Sequence, residues 1–164
     1  MSLPLQQLIS DPGTFIYTML LALPGIIIGL SLHEFAHAYV SYKLGDPTPM
    51  AQGRVTISPF VHIDPIGLLL LMLFGFGYGK PVQINPNNYK NPRRDEIFVA
   101  LAGVITNFFV AVLFAFVYFL LLHFNVMPIY STMSTILINI IFINVNLMVF
   151  NLLPIPPLDG YKVV

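Results

Sequence analysis

Three uncharged stretches decide what this chain can fold into. Residues 12–32, 97–122 and 124–158 contain no Asp, Glu, Lys or Arg. Each exceeds the roughly 20 apolar residues that a helix needs to cross a bilayer. Over the whole chain 57% of residues are hydrophobic and 9% charged, where a soluble domain carries about a quarter charged residues. A water-soluble globule does not fit. Seven Lys+Arg balance seven Asp+Glu, so a basic nucleic-acid footprint is absent. Without cysteine there are no disulfides, no thiolate metal ligands and no cysteine nucleophile. The expectation is one all-α integral membrane unit over residues 1–164.

The first stretch does not read as a secretory signal peptide, because no Lys or Arg stands before it and the helix runs straight into polar chemistry. A fourth apolar run, Ile66 to Tyr78, is too short for an ordinary span and ends in alternating glycines, Gly75, Gly77 and Gly79. It reads as a re-entrant or interfacial segment. These glycines resemble a phosphate loop only superficially, since no spaced lysine follows.

The basic residues set an orientation. Lys43, Arg54, Lys80, Lys90, Arg93 and Arg94 lie between the first and second long stretches, and Lys162 follows the third. Residues 1–13 and 123–133 have none. The positive-inside rule then places the 43–95 loop in the cytoplasm and the N-terminus outside, provided the short run does not cross. Within the loop, Gly45-Asp46-Pro47-Thr48-Pro49 is turn chemistry, and Arg54-Val55-Thr56-Ile57-Ser58 reads as a short strand of a small β-hairpin. Asn91-Pro92 with Asp95 and Glu96 reads as a helix start.

The chemistry centres on His33-Glu34-Phe35-Ala36-His37. Residues four apart share a helix face, so both imidazoles can bind one metal. Glu34, about 100° around the helix from His33, reaches a water at the metal rather than the metal itself. The competing reading is a set of interfacial polar residues where the helix leaves the bilayer. A zinc site with two histidines needs a third protein ligand and an open position. His62, His123 and the remaining acids are the candidates. His123 and Asp11 fall on the far side of the membrane, whereas Asp159 returns to the cytoplasmic half behind prolines that cannot continue a helix. A carboxylate after such a break is a candidate ligand, and a solvated helix end is the alternative. His62, Asp46 and Asp64 read as turn and surface residues.

Asn107 lies roughly 18 Å into its helix, one turn beyond Gly103. Either it stabilises a developing oxyanion or it packs two helices together. Asn144, Asn146 and Asn151 also sit in apolar surroundings, and Asn151, beside the prolines, is placed to brace that turn.

Three motifs together resemble the site-2 protease family of intramembrane zinc metalloproteases. They are His33-Glu34-Phe35-Ala36-His37, Gly103-Val104-Ile105-Thr106-Asn107, and the run from Asn151-Leu152-Leu153-Pro154 to Leu158-Asp159-Gly160. The stretch from Gly45-Asp46-Pro47-Thr48 to Asn91-Pro92-Arg93-Arg94 is similar to the compact prokaryotic branch. The resemblance implies a three-helix catalytic core in a prokaryotic cytoplasmic membrane. It implies one Zn2+ per chain held by His33, His37 and Asp159, Glu34 as general base, and Asn107 and Asn151 near the site. Val104 stands where the family usually has proline. Relatives generally continue into more helix, so a chain ending at Val164 reads as C-terminally truncated.

The implied activity is hydrolysis of peptide bonds in or near transmembrane segments, with a transmembrane protein or peptide as substrate and the lipid bilayer as surroundings. Arg54 to Ser58 and the short apolar run would receive the unwound substrate as an added strand. The rival reading from another class is a membrane metal-binding or transport protein that uses the same ligands, for which Glu34 is dispensable as a base.

Overall fold

The computed structural model describes residues 4–74 and 77–163. Gly75 and Phe76, at the end of the short apolar run, lie outside the described residues. The helices are α1 (Pro4–Ser10), α2 (Pro12–Lys43), α3 (Thr48–Ala51), α4 (Pro59–His62), α5 (Pro65–Phe74), α6 (Pro92–His123) and α7 (Thr132–Asn151). Short 3-10 turns cover Pro86–Asn88 and Asp159–Lys162. Among the described residues α2, α6 and α7 are long and apolar enough to cross a membrane. At 32, 32 and 20 residues they measure about 48, 48 and 30 Å, against a hydrocarbon layer of about 30 Å.

Local chemistry starts each long helix. Asp11 caps α2 by accepting the Thr14 N–H at 3.1 Å, with Pro12 at the first position, where no N–H is needed. Ser131 caps α7 through the Ser134 N–H at 3.1 Å. On α6, Pro92 again takes the first position, and Asp95 reaches back to the Asn91 N–H at 3.1 Å.

Glycines set the packing of α2 on α7. A Cβ on Gly25 would sit 3.1 Å from the Asn139 carbonyl oxygen, and one on Gly29 would sit 2.8 Å from Leu147. Four apart, they form a flat strip against which the α7 backbone at Asn139 and Ile140 and the side chains of Ile143, Asn144 and Leu147 pack closely. Pro24 leaves a carbonyl of α2 without its helical partner, and beside it Asn139 of α7 donates to the Leu21 carbonyl at 3.2 Å. The outer faces carry Phe109, Leu113, Phe116, Phe119 and Phe142, all exposed, a surface suited to lipid rather than water. The inner faces carry polar groups: Ser31, His33, His37, Asn107 and Asn144 are buried.

The 43–95 loop departs from expectation in two ways. No described residue is in a strand, so the β-hairpin at Arg54 to Ser58 is absent from the described fold. The Thr56 N–H instead turns back to the Arg54 carbonyl at 2.9 Å, and the Arg54 side chain points inward. Asp46 and His62, expected at the surface, are both completely buried. Asp64 keeps its turn role, accepting the Gly67 N–H at 2.8 Å to start α5.

The short apolar run leaves and returns at one point. Beyond α5 the chain comes back so close that a Cβ on Gly67 would overlap the Tyr78 carbonyl. The Lys80 N–H then meets the His62 carbonyl at 2.7 Å.

Candidate metal centre

α2 brings His33 and His37 to one face, as the four-residue spacing requires. Behind them α6 presents Gly103, where a Cβ would stand 2.5 Å from His33 Cε1 and 2.6 Å from His37 Nε2. Glycine at 103 is therefore what lets the two rings lie against α6. Val104, in the family's proline position, is buried within an unbroken α6. Asp159 arrives from beyond α7. There the chain turns through Leu152 to Leu158, and Gly160 packs against the Leu152 carbonyl in space that a Cβ would fill.

The three side chains converge. His33 Nε2 and His37 Nε2 are 2.9 Å apart, and each is 3.1 Å from Asp159 Oδ2. The protons follow from the partners on the far side of each ring. His37 Nδ1 lies 2.7 Å from the Val99 carbonyl, which can only accept, so Nδ1 carries the hydrogen. Asn107 Nδ2 donates to Asn144 Oδ1 at 2.8 Å and to the Gly29 carbonyl at 3.3 Å. Its Oδ1 is thus the atom 2.6 Å from His33 Nδ1, which must donate. With the hydrogen of each ring fixed on Nδ1, a neutral imidazole at either position presents its Nε2 lone pair to the other ring and to a carboxylate oxygen.

Three lone pairs about 3 Å apart with no proton between them repel, and a cation relieves that. Asp159 Oδ2 is buried and has no hydrogen-bond donor. The edges of 2.9, 3.1 and 3.1 Å approach the roughly 3.3 Å edge of a tetrahedron with metal–ligand bonds of 2.0–2.1 Å. Two imidazoles and one carboxylate leave a fourth position open, a donor set that fits catalytic zinc.

Glu34 stays out of the triangle. Its Oε2 accepts the Val82 N–H at 3.0 Å. Glu34 lines the same cavity of about 390 Å³ as His33, His37 and Asp159, together with Val82, Asn151 and Lys162. Asn107 does not line it. All its hydrogen-bonding atoms are directed at His33, Gly29 and Asn144, so it stands behind the ligand rather than over the cavity. Asn151 lines the cavity but binds the Leu147 carbonyl of its own helix at 2.9 Å instead of bracing the proline turn. His62 takes no part, with Nε2 on the Thr56 carbonyl at 2.7 Å. His123, at the end of α6, is outside the site.

Two contributors carry no sequence signal: the Val99 carbonyl and the Val82 N–H are main-chain groups. Asn144 was visible as a polar residue in an apolar helix, but its partner is not readable from spacing.

Fold and site together define a candidate metal centre of the H-E-x-x-H class with a distant aspartate, set among three helices long and apolar enough to cross a membrane. The chain is also similar to proteins named as zinc metalloproteases. The chain is 39% identical over 158 residues to "Putative zinc metalloprotease YwhC" of Bacillus subtilis, covering 92% of this chain and 72% of that protein. It is 31% identical over 158 residues to "Putative zinc metalloprotease MJ0611" of Methanocaldococcus jannaschii, covering 94% and 74%. It is 30% identical over 155 residues to "Putative zinc metalloprotease Rip2" of Mycobacterium tuberculosis, covering 92% of this chain and 58% of that one. The chain belongs to this zinc metalloprotease family, and its His33, His37 and Asp159 form a group that could hold one metal ion. No family model matches the chain, and no solved structure does.

Proposed function

We propose that the chain is the core of an intramembrane metalloprotease of the site-2 type, cleaving peptide bonds in or near transmembrane segments. The observation that carries this reading is the convergence of His33 Nε2, His37 Nε2 and Asp159 Oδ2 to about 3 Å of one another beside Glu34, which stays outside the triangle. An ion-transport site gains nothing from Glu34 held apart in this way.

His33, His37 and Asp159 would hold the zinc, which would supply Lewis acidity and lower the pKa of a water to about 7. The chain's own groups do the rest. Glu34 takes the proton of the attacking water and returns it to the leaving amine nitrogen. The Val82 N–H occupies Oε2, which leaves Oε1 for that transfer. Asn107 holds His33 Nδ1–H and fixes the ring and its tautomer; this makes it a positioning residue rather than an oxyanion donor.

Depth and orientation follow from the charges. His33 lies ten residues before Lys43, about 15 Å from the end of α2, so water reaches the site from the 43–95 side. That side is the cytoplasm of a prokaryotic cell by the positive-inside rule, with the N-terminus outside. The excursion through α5 returns to its starting level, which supports a re-entrant element. A substrate helix hides its carbonyls in its own hydrogen bonds, so it must unwind to enter, and helix-weakening Gly, Pro or Asn near the cut favours cleavage.

Glu34→Gln is the test. The variant keeps one zinc per chain and loses cleavage of a transmembrane peptide by at least the 10²–10⁴-fold associated with general acid–base catalysis. A variant that still cleaves at the wild-type rate contradicts the reading.

A further inference from the structure

Between α5 and α6 a strap without regular secondary structure, residues 80–85, lines the cavity with its main chain held at Lys80, Pro81, Val82 and Asn85. At its start the Lys80 N–H is bound by the His62 carbonyl at 2.7 Å. The Arg54 guanidinium, 6% exposed, donates to the carbonyls of Lys80 at 3.1 Å, Pro81 at 3.3 Å and Val61. In the middle the Val82 N–H is on Glu34. At its end the Asn85 N–H is on Asp46 Oδ2 at 2.7 Å.

Asp46 has no exposed surface and is bound on every side. Besides Asn85 it accepts from the Ser41 hydroxyl at 3.1 Å, the Thr48 N–H at 3.0 Å, the Thr48 hydroxyl at 2.6 Å and the Asn88 amide at 2.8 Å. Ser41 belongs to α2, the helix that carries Glu34. The strap is therefore tied twice to one helix, at Glu34 and at Asp46 through Ser41. The spacings match: seven helical residues from Glu34 to Ser41 rise about 10 Å, and three extended residues from Val82 to Asn85 span about 10 Å. Arg54 has no carboxylate within 4.0 Å among the described residues, so its buried charge is spent on strap and loop carbonyls alone.

We propose that Asp46 and Arg54 are positioning residues for Glu34: they clamp the two ends of the 80–85 strap so that the Val82 N–H fixes the carboxylate of the hydrolytic base. The assignment rests on the hydrolytic reading of Glu34. Neither residue reaches the cavity of the metal ligands, so both act through the strap. Loosening either end frees Glu34 to rotate out of reach of the water while the zinc ligands on α2 and beyond α7 stay in place.

The test uses the full chain in detergent or nanodiscs, loaded with zinc, as wild type, Asp46→Asn, Arg54→Lys and Glu34→Ala. Amide hydrogen exchange is read on peptides covering 80–85, along with zinc per chain and cleavage of a transmembrane peptide. All three variants should speed exchange at 80–85 by roughly tenfold while α6 and α7 keep their protection. Asp46→Asn and Arg54→Lys should keep one zinc and lose about 10- to 100-fold in kcat with a smaller change in KM. Unchanged exchange at 80–85 in Asp46→Asn and Arg54→Lys overturns the clamp. Faster exchange with unaltered kcat overturns its role for Glu34. An inactive wild type counts against the hydrolytic reading instead, and the clamp is then decided by exchange alone. If Asp46→Asn does not fold, Asn88→Ala, which removes one of the five bonds, takes its place with the same criteria.

Discussion

Asn107 accepts the Nδ1 hydrogen of His33 across 2.6 Å, 74 residues away in the chain, and has no hydrogen-bonding atom left for anything else. One amide thereby sets the tautomer that points the Nε2 lone pair of His33 at Asp159. Replacing it with Ala leaves His33 free to swap tautomers, and such outer partners are worth about 10- to 100-fold in metal affinity. Chelator competition on Asn107→Ala should show zinc affinity weakened by that factor. An affinity equal to wild type would assign Asn107 to packing alone.

Gly103 makes the room for both rings. In Gly103→Ala the added methyl would fall 2.5–2.7 Å from atoms of His33 and His37, so the rings or α6 must move. Alanine favours helix over glycine by about 1 kcal/mol, so helicity holds. Circular dichroism should show helix content unchanged while zinc per chain drops. Full zinc occupancy would mean that α6 yields without disturbing the ligands.

The site was legible in the sequence where local periodicity carries it. His33, Glu34 and His37 are read from helical spacing, whereas the prolines make Asp159 only a candidate and the family resemblance names it a ligand. The three long apolar helices follow from charge-free length. What was not legible depends on partners remote in sequence. Asp46 looked like a turn residue because Gly-Asp-Pro is turn chemistry; its burial comes from Asn85 and Asn88, about forty residues on. His62 is buried under a loop that the sequence does not register. Arg54 to Ser58 alternates like a strand, but a strand needs a neighbour to pair with. Here the Arg54 guanidinium draws the segment inward to the carbonyls of 80 and 81 instead. The depth of Asn107 leaves oxyanion stabilisation and helix packing both open, and its acceptor role toward His33 depends on how α2, α6 and α7 assemble.

Asp46 also gives the fold an acid limit. Burial alone would raise its pKa, but the hydrogen bonds from Thr48, Asn85 and Asn88 outweigh it and hold the carboxyl down from 3.8 to about 2. A carboxyl depressed in the folded state stabilises the fold above its unfolded pKa, and that contribution is lost as pH falls through the folded pKa. The window runs from about pH 4 to about pH 2, and the contribution above it is about 2 kcal/mol. Denaturation of wild type and Asp46→Asn compared across these pH values should show the stability gap closing as pH falls. A gap independent of pH would show that the carboxylate charge is not what the five donors stabilise.

The central claim is that two imidazoles of α2 and a carboxylate from beyond α7 hold one zinc ion. Metal analysis of the purified wild type beside Asp159→Ala tests it most directly. One zinc per wild-type chain and a substoichiometric, readily chelated metal in Asp159→Ala is the expected result; full, tight zinc occupancy in Asp159→Ala, or none in the wild type, would contradict it.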